Sequence, residues 1–150
     1  MRTVFEGRYR VFAPRDLDSN PWQSCLYCGA PAETMDHSPP VSRAVEYQSY
    51  LDGSQAYFVK VPCCSECNRM LGNKLHDSLE DRERDLKRML RRKHRRLLAL
   101  PCWSESELAE MGPTMRSAIR ADVAAQEAIR YRLAYKVGIR AWSRTKGRYK

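Results

Sequence analysis

The sequence has no long apolar run. No stretch approaches the roughly 18 consecutive apolar residues that a membrane helix needs, so no membrane association is expected. Residues 1–10 carry Glu6, Arg8 and Arg10 and have no apolar centre, which does not fit a secretory signal. There is no internal repeat and no low-complexity tract. Acids are missing in two places: none follows Asp85 until Glu105, and none occurs over residues 139–150. What is present is mostly basic. The 150 residues include 27 Lys and Arg against 18 Asp and Glu, a net charge of +9. That length supports one domain with a real core. That charge favours a polyanionic partner, most often nucleic acid.

Four of the six cysteines form two short pairs, Cys25-Leu26-Tyr27-Cys28 and Cys64-Ser65-Glu66-Cys67. Paired cysteines read either as a disulfide framework or as metal ligands. Without a secretory signal the expected setting is cytoplasmic, where thiols stay reduced, and metal becomes the better reading. Each Cys-x-x-Cys makes one tight knuckle with two thiolates, and two such knuckles close on one tetrahedral structural zinc. Cys63 adjoins Cys64 and is a substitute ligand, though the Cys64-x-x-Cys67 spacing is better. Cys102 has no nearby partner and is expected to be buried as an apolar residue.

The segment inside the clamp carries a different chemistry. Thr34-Met35-Asp36-His37 reads as a short strand running into Pro39-Pro40, and Asn68 follows Cys67 directly. Asp36 offers a hard carboxylate and Asn68 a hard carbonyl oxygen. With water and phosphate oxygens these suit Mg2+ or Mn2+. His37 is a titratable base for activating water, although a strand points it away from Asp36. The plain alternative for a lone histidine is a hydrogen-bonded structural role. Asn73 is a further candidate ligand, since Gly72, one turn after Asn68, has no side chain; His76 ranks behind it.

Cys-x-x-Cys, then Asp-His-x-x-Pro, then Cys-x-x-Cys-Asn resembles the HNH, or His-Me finger, endonucleases, in particular zinc-bearing phage enzymes similar to recombination endonuclease VII. The resemblance covers residues 22–76. It implies a ββα-metal core, with His37 as general base, Asp36 and Asn68 as ligands of the catalytic cation, and Cys25, Cys28, Cys64 and Cys67 as zinc ligands. It also implies a metal-dependent DNA endonuclease, encoded by a phage and acting in the host cytoplasm. The family's central Asn, which orients the histidine, has no counterpart in Tyr57-Phe58-Val59-Lys60-Val61-Pro62-Cys63. That departure supports the alternative of a zinc-stabilised nucleic-acid-binding or packaging accessory protein with an inactive site. A helical protein–protein adaptor would leave Asp36, His37 and Asn68 without a role.

The expected fold is α+β and mostly helical: an arm over 1–24, the zinc-stabilised core over 25–76, a helical region over 77–138 and a basic tail over 139–150. In the arm, Tyr9, Val11 and Phe12 alternate as in a strand, and Trp22 is placed beside the first knuckle. Asp52-Gly53 signals a turn. Residues 56–61 form a strand ended by Pro62, and a helix begins near Asn68, with Gly72 as its weak point.

Beyond the core, Leu75, Leu79, Leu86, Leu90 and Leu97 are spaced 4, 7, 4 and 7, the stripe of one helix over 77–100. Nine of the 27 basic residues fall in 82–96. From this face Arg88, Arg91, Arg92, Arg95 and Arg96 are assigned to DNA phosphates; the alternative is a solvated surface. Ser104 and Glu107 make a capping box. Gly112-Pro113 ends that short helix, and Thr114 opens another to about Val137, with Met115, Ile119, Val123, Ile129 and Leu133 inward and Ala121, Ala124, Ala125 and Ala128 permitting close packing. Gly138 reads as its C-cap. The tail, with Trp142 and Tyr149 among basic residues, is either disordered or follows a nucleic-acid backbone. A homodimer is compatible with all of this.

Overall fold

The computed structural model describes residues 6–12, 24–50 and 57–149, and shows an α+β chain dominated by helices. Strand β1 is Arg10–Val11, β2 is Thr34–Ser38 and helix α1 is Ala44–Tyr50. Then come β3, Val59–Cys63, and α2, Ser65–Leu71. The helical half comprises α3, Leu79–Lys93; α4, Arg95–Leu98; α5, Glu105–Ala109; α6, Pro113–Ala134; and α7, Val137–Thr145. The Trp22 and Asp52-Gly53 expectations lie outside the described residues. No helix among the described residues is long and apolar enough to cross a membrane.

The sheet order is β1-β3-β2. β1 runs parallel to β3, pairing Arg10 with Val59, and β2 runs antiparallel to it, pairing Asp36 with Val61 and His37 with Lys60. Residues directly opposite share a face. One face therefore carries Asp36, Val59 and Val61 into the main core, with Leu26, Tyr27, Leu71, Leu79, Leu86, Leu90 and Trp142. The other carries His37 and Lys60 beside a smaller cluster of Tyr9, Ala44, Tyr47 and Phe58.

Pro62 does not end the strand, which continues to Cys63. The Lys60 carbonyl accepts from Phe12 N–H and the Pro62 carbonyl from Leu26 N–H, so both face the β1 side. A residue's nitrogen faces the same way as its carbonyl. The missing donor of Pro62 thus falls past the end of β1 and removes no bond to β2. The helix after it begins at Ser65, three residues earlier than expected, and Gly72 closes it at φ +51°, donating to the Asn68 carbonyl.

The long basic helix is two helices, interrupted at His94 (φ −101°, ψ 17°). The buried Gln126 amide donates to the carbonyls of Leu97, Leu98 and Leu100, satisfying groups that a helix end leaves open. The Ser104–Glu107 capping box is present. Gly112 and Pro113 do more than end that helix: they are the N-cap and first residue of α6. Only Gln126 and Ile129 of α6 are buried, Met115 is exposed, and the four alanines face solvent instead of a packed helix.

The carboxyl end is corrected most. Gly138 is not a cap; it lies within α7, where an added Cβ would sit 2.3 Å from the Leu26 carbonyl oxygen. Only glycine lets α7 come this close to the first knuckle. Residues 137–149 are helical, and Trp142 is enclosed by Phe12, Tyr57 and Tyr149, with ring centroids at 5.2, 5.5 and 5.4 Å. A ring enclosed this way cannot stack on a base. Cys102, expected inside, is exposed.

Candidate metal centre and basic surface

Cys25, Cys28, Cys64 and Cys67 are buried, with their sulfurs all within 4.8 Å of one another. Thiolates at about 2.3 Å from one tetrahedral ion stand about 3.8 Å apart, and Cys28 Sγ lies 3.8 Å from Cys64 Sγ. The donor set therefore fits a metal ion such as zinc. The knuckles are shaped locally. Gly29 takes φ +74° and donates to the Cys25 carbonyl, and Cys67 N–H donates to Cys64 Sγ. Cys63 is a fifth thiol, in hydrogen-bond contact with Cys25 Sγ at 4.0 Å and outside the set of four. Hydrogen bonding with Cys28, then with Cys63, holds the Cys25 thiol well below its ordinary value. Arg132, from α6, lies 3.7 Å from Cys67 Sγ and 2.6 Å from Glu66, so a guanidinium faces the cluster, where it would offset the charge of thiolates holding a metal. Sequence reading missed Arg132, because nothing local to α6 marks it.

Asp36 is buried and fully engaged. Arg82 Nη2 donates to Oδ1 at 2.7 Å and Arg82 Nε to Oδ2 at 2.8 Å, while Tyr27 O–H donates to Oδ2 at 2.6 Å. The side chains of Arg82 and Asp36 are 1% and 2% exposed, so the pair is closed to water. Burial, then the Asp36 charge, pushes the Tyr27 phenol up, which keeps it a donor. Arg82 also donates to the Lys74 carbonyl and to His76 Nδ1, leaving His76 Nε2–H for Asp85. The expectation that Arg82 belongs to an outward basic face is thus corrected, and so is that for Lys87. Lys87 is buried, bonding Glu83 at 2.6 Å and the Tyr135 carbonyl.

His37 lies on the other face of β2. Its Nε2 is 3.0 Å from Glu6 Oε1, and Lys60 Nζ reaches the same oxygen at 2.8 Å. The carboxylate only accepts, so Nε2 carries the proton, and in the neutral ring Nδ1 is the acceptor. Asn68 is half-buried on the Asp36 side, 3.5 Å from Thr34 Oγ1, and Asn73 is exposed in the turn after α2. The structure thus gives Asp36 and Asn68 one side of β2 and His37 the opposite side, with Arg82 where a cation would meet Asp36.

Glu6 provides a test of the His37 environment. Its carboxyl is lowered to about 2, first by the Lys60 hydrogen bond and then by His37. A depressed acid stabilises above its unfolded value of about 4.3, and that contribution is lost as pH falls toward 2. A carbon-13 titration of the Glu6 carboxyl should have its midpoint well under the usual glutamate range. Lys60→Met should move it back up; an unchanged midpoint would mean that Lys60 does not hold this carboxylate in solution.

Arg88, Arg91, Arg92, Arg95 and Arg96 are all exposed. Arg88 is paired with Asp85 at 2.7 Å, and the other four make no ion pair among the described residues. These features define an α+β chain with a four-cysteine metal-capable centre and an exposed basic surface. No known family, curated protein or solved structure matches the chain.

Proposed function

We propose that the protein is a zinc-stabilised nucleic-acid-binding protein built on an HNH-like arrangement whose cation position is taken by its own arginine. The observation that carries this reading is the closed Asp36–Arg82–Tyr27 cluster. A magnesium ion binds through carboxylate oxygens, and both oxygens of Asp36 already accept from buried donors. Zinc on the four cysteines would hold the knuckles, β2 and α2 together. Arg88, Arg91, Arg92, Arg95 and Arg96 would hold phosphates without reading sequence.

One observation favours a second reading, the metal-dependent DNA endonuclease with His37 as base and Mg2+ or Mn2+ on Asp36 and Asn68. Glu6 orients His37 as the absent central Asn would, and leaves Nδ1 able to take a proton. Supercoiled plasmid with and without magnesium or manganese, tested with wild type and His37→Ala, separates the two. Binding without nicking supports the first reading. Metal-dependent nicking that falls at least ~10²-fold in His37→Ala, the lower end for a general base, replaces it with the second.

Phosphate binding has its own signature. Affinity for duplex DNA should fall steeply with salt. Replacing Arg91, Arg92, Arg95 and Arg96 by Ala should flatten the slope by about 0.9 for each phosphate no longer neutralised. An unchanged slope would assign these arginines to solvent.

A further inference from the structure

Two adjoining depressions lie where α7 meets α3 and the carboxyl end of α6, with open volumes of about 420 and 270 Å³. Lys136 and Arg140 line both, so they form one cleft. Arg84 and Arg144 line the larger part and Tyr131 and Tyr135 the smaller. Glu80 and Glu83 also line the larger part, but neither leaves an uncompensated charge. Lys146 holds Glu80 at 2.9 Å, the buried Lys87 and the cleft's own Lys136 hold Glu83 at 2.6 and 2.7 Å, and Arg84 is paired with Asp81 at 2.8 Å. By number, the cations lining the cleft (Arg84, Lys136, Arg140 and Arg144) exceed its two acids, and Arg140 makes no ion pair among the described residues. Tyr131 is 62% exposed, with its ring centroid 6.1 Å from that of Tyr135. Tyr135 is fixed from behind: its ring covers Gly29 of the first knuckle, and its carbonyl accepts from Lys87. Its buried hydroxyl has no hydrogen-bond partner among the described residues.

Resting on the nucleic-acid-binding reading, we propose that this cleft takes single-stranded nucleic acid, with a base stacked on Tyr131 and the following phosphates on Lys136, Arg140 and Arg144. An exposed aromatic face beside a cationic groove suits unpaired bases, because a duplex keeps its base faces covered. The cleft also has a continuation. Arg84, at its wall, heads an exposed row with Arg88 and Arg91 at helical spacings of four and three along α3. A strand leaving the cleft meets this row next.

The test is fluorescence anisotropy with a labelled oligothymidine and a duplex of matched length, on zinc-loaded full-length protein. Tyr131→Ala should weaken oligothymidine binding roughly tenfold or more, with duplex affinity nearly unchanged, and Tyr131→Phe should bind like wild type. Arg140→Ala with Arg144→Ala should lower the salt slope on the single strand by about 0.7 per phosphate released. Circular dichroism and zinc content confirm that the variants are folded. If Tyr131→Ala and the Arg140/Arg144 variant bind oligothymidine like wild type while Arg91→Ala/Arg92→Ala weakens it, the cleft proposal is overturned and the nucleic-acid reading stands. If wild type binds neither probe at low salt, both fall.

Discussion

Cys28→Ser should lose its metal and its cooperative unfolding transition together. Zinc bound to four thiolates contributes about 10–16 kcal/mol in small zinc domains, whereas whole domains are stable by only about 5–15 kcal/mol. Here the cluster is part of the main core: Cys25, Cys28, Cys64 and Cys67 pack with Leu26, Tyr27, Leu71 and Trp142. Serine at position 28 would leave three ligands and a polar group in that core. Cys63→Ser is the matched control, since Cys63 stands outside the set and, among the described residues, its sulfur hydrogen-bonds only Cys25. It should keep one zinc per chain. Zinc release measured with a metallochromic dye, alongside thermal melting, separates these outcomes. A folded, metal-free Cys28→Ser protein would remove the structural role of the cluster.

The second large effect belongs to Arg82. Removing one partner of a buried ion pair leaves an uncompensated charge and costs about 3–5 kcal/mol. Both groups here are almost fully enclosed, so water cannot soften the loss. Arg82→Ala should therefore shift the urea midpoint by a large fraction of the total stability. Asp36→Asn should also destabilise, because it leaves the guanidinium unmatched. Replacing the whole cluster, with Arg82→Met, Asp36→Leu and Tyr27→Phe together, should recover much of the loss, as buried pairs exchanged for apolar groups often do. The same series bears on function. A carboxylate reserved for a catalytic cation would lose activity on Asp36→Asn while the fold kept its stability. An Arg82→Ala protein within about 0.5 kcal/mol of wild type, the range of a neutral surface change, would show that the pair is open in solution.

Local signals were readable in the chain wherever one residue type has one physical use. The paired cysteines fall at knuckle spacing, Ser104 and Glu107 cap α5, and the Leu79, Leu86 and Leu90 stripe faces inward. Arg82 was readable too, had spacing been weighed above charge. It lies three residues after Leu79 and four before Leu86, on the same inward face, and a buried arginine there requires a carboxylate partner. Glu6, Tyr27 and Arg132 could not be found this way, since each acts on a residue distant in sequence. The carboxyl end was misread for a related reason. Basic residues alternate there with apolar ones, and composition alone suggested a tail; the 3.6-residue period of Ile139 and Trp142 matched an inward stripe instead.

The close fit of Gly138 on Leu26 has a consequence for how the molecule is made. All four thiolates leave the ribosome before α7 has been synthesised, because the last of them, Cys67, precedes it in the chain. Until then the first knuckle lacks its cover. Gly138 and Trp142 then dock against it. A side chain larger than hydrogen at position 138 would hold that cover off the knuckle, so the last helix to be made is the one whose fit tolerates no substitution there.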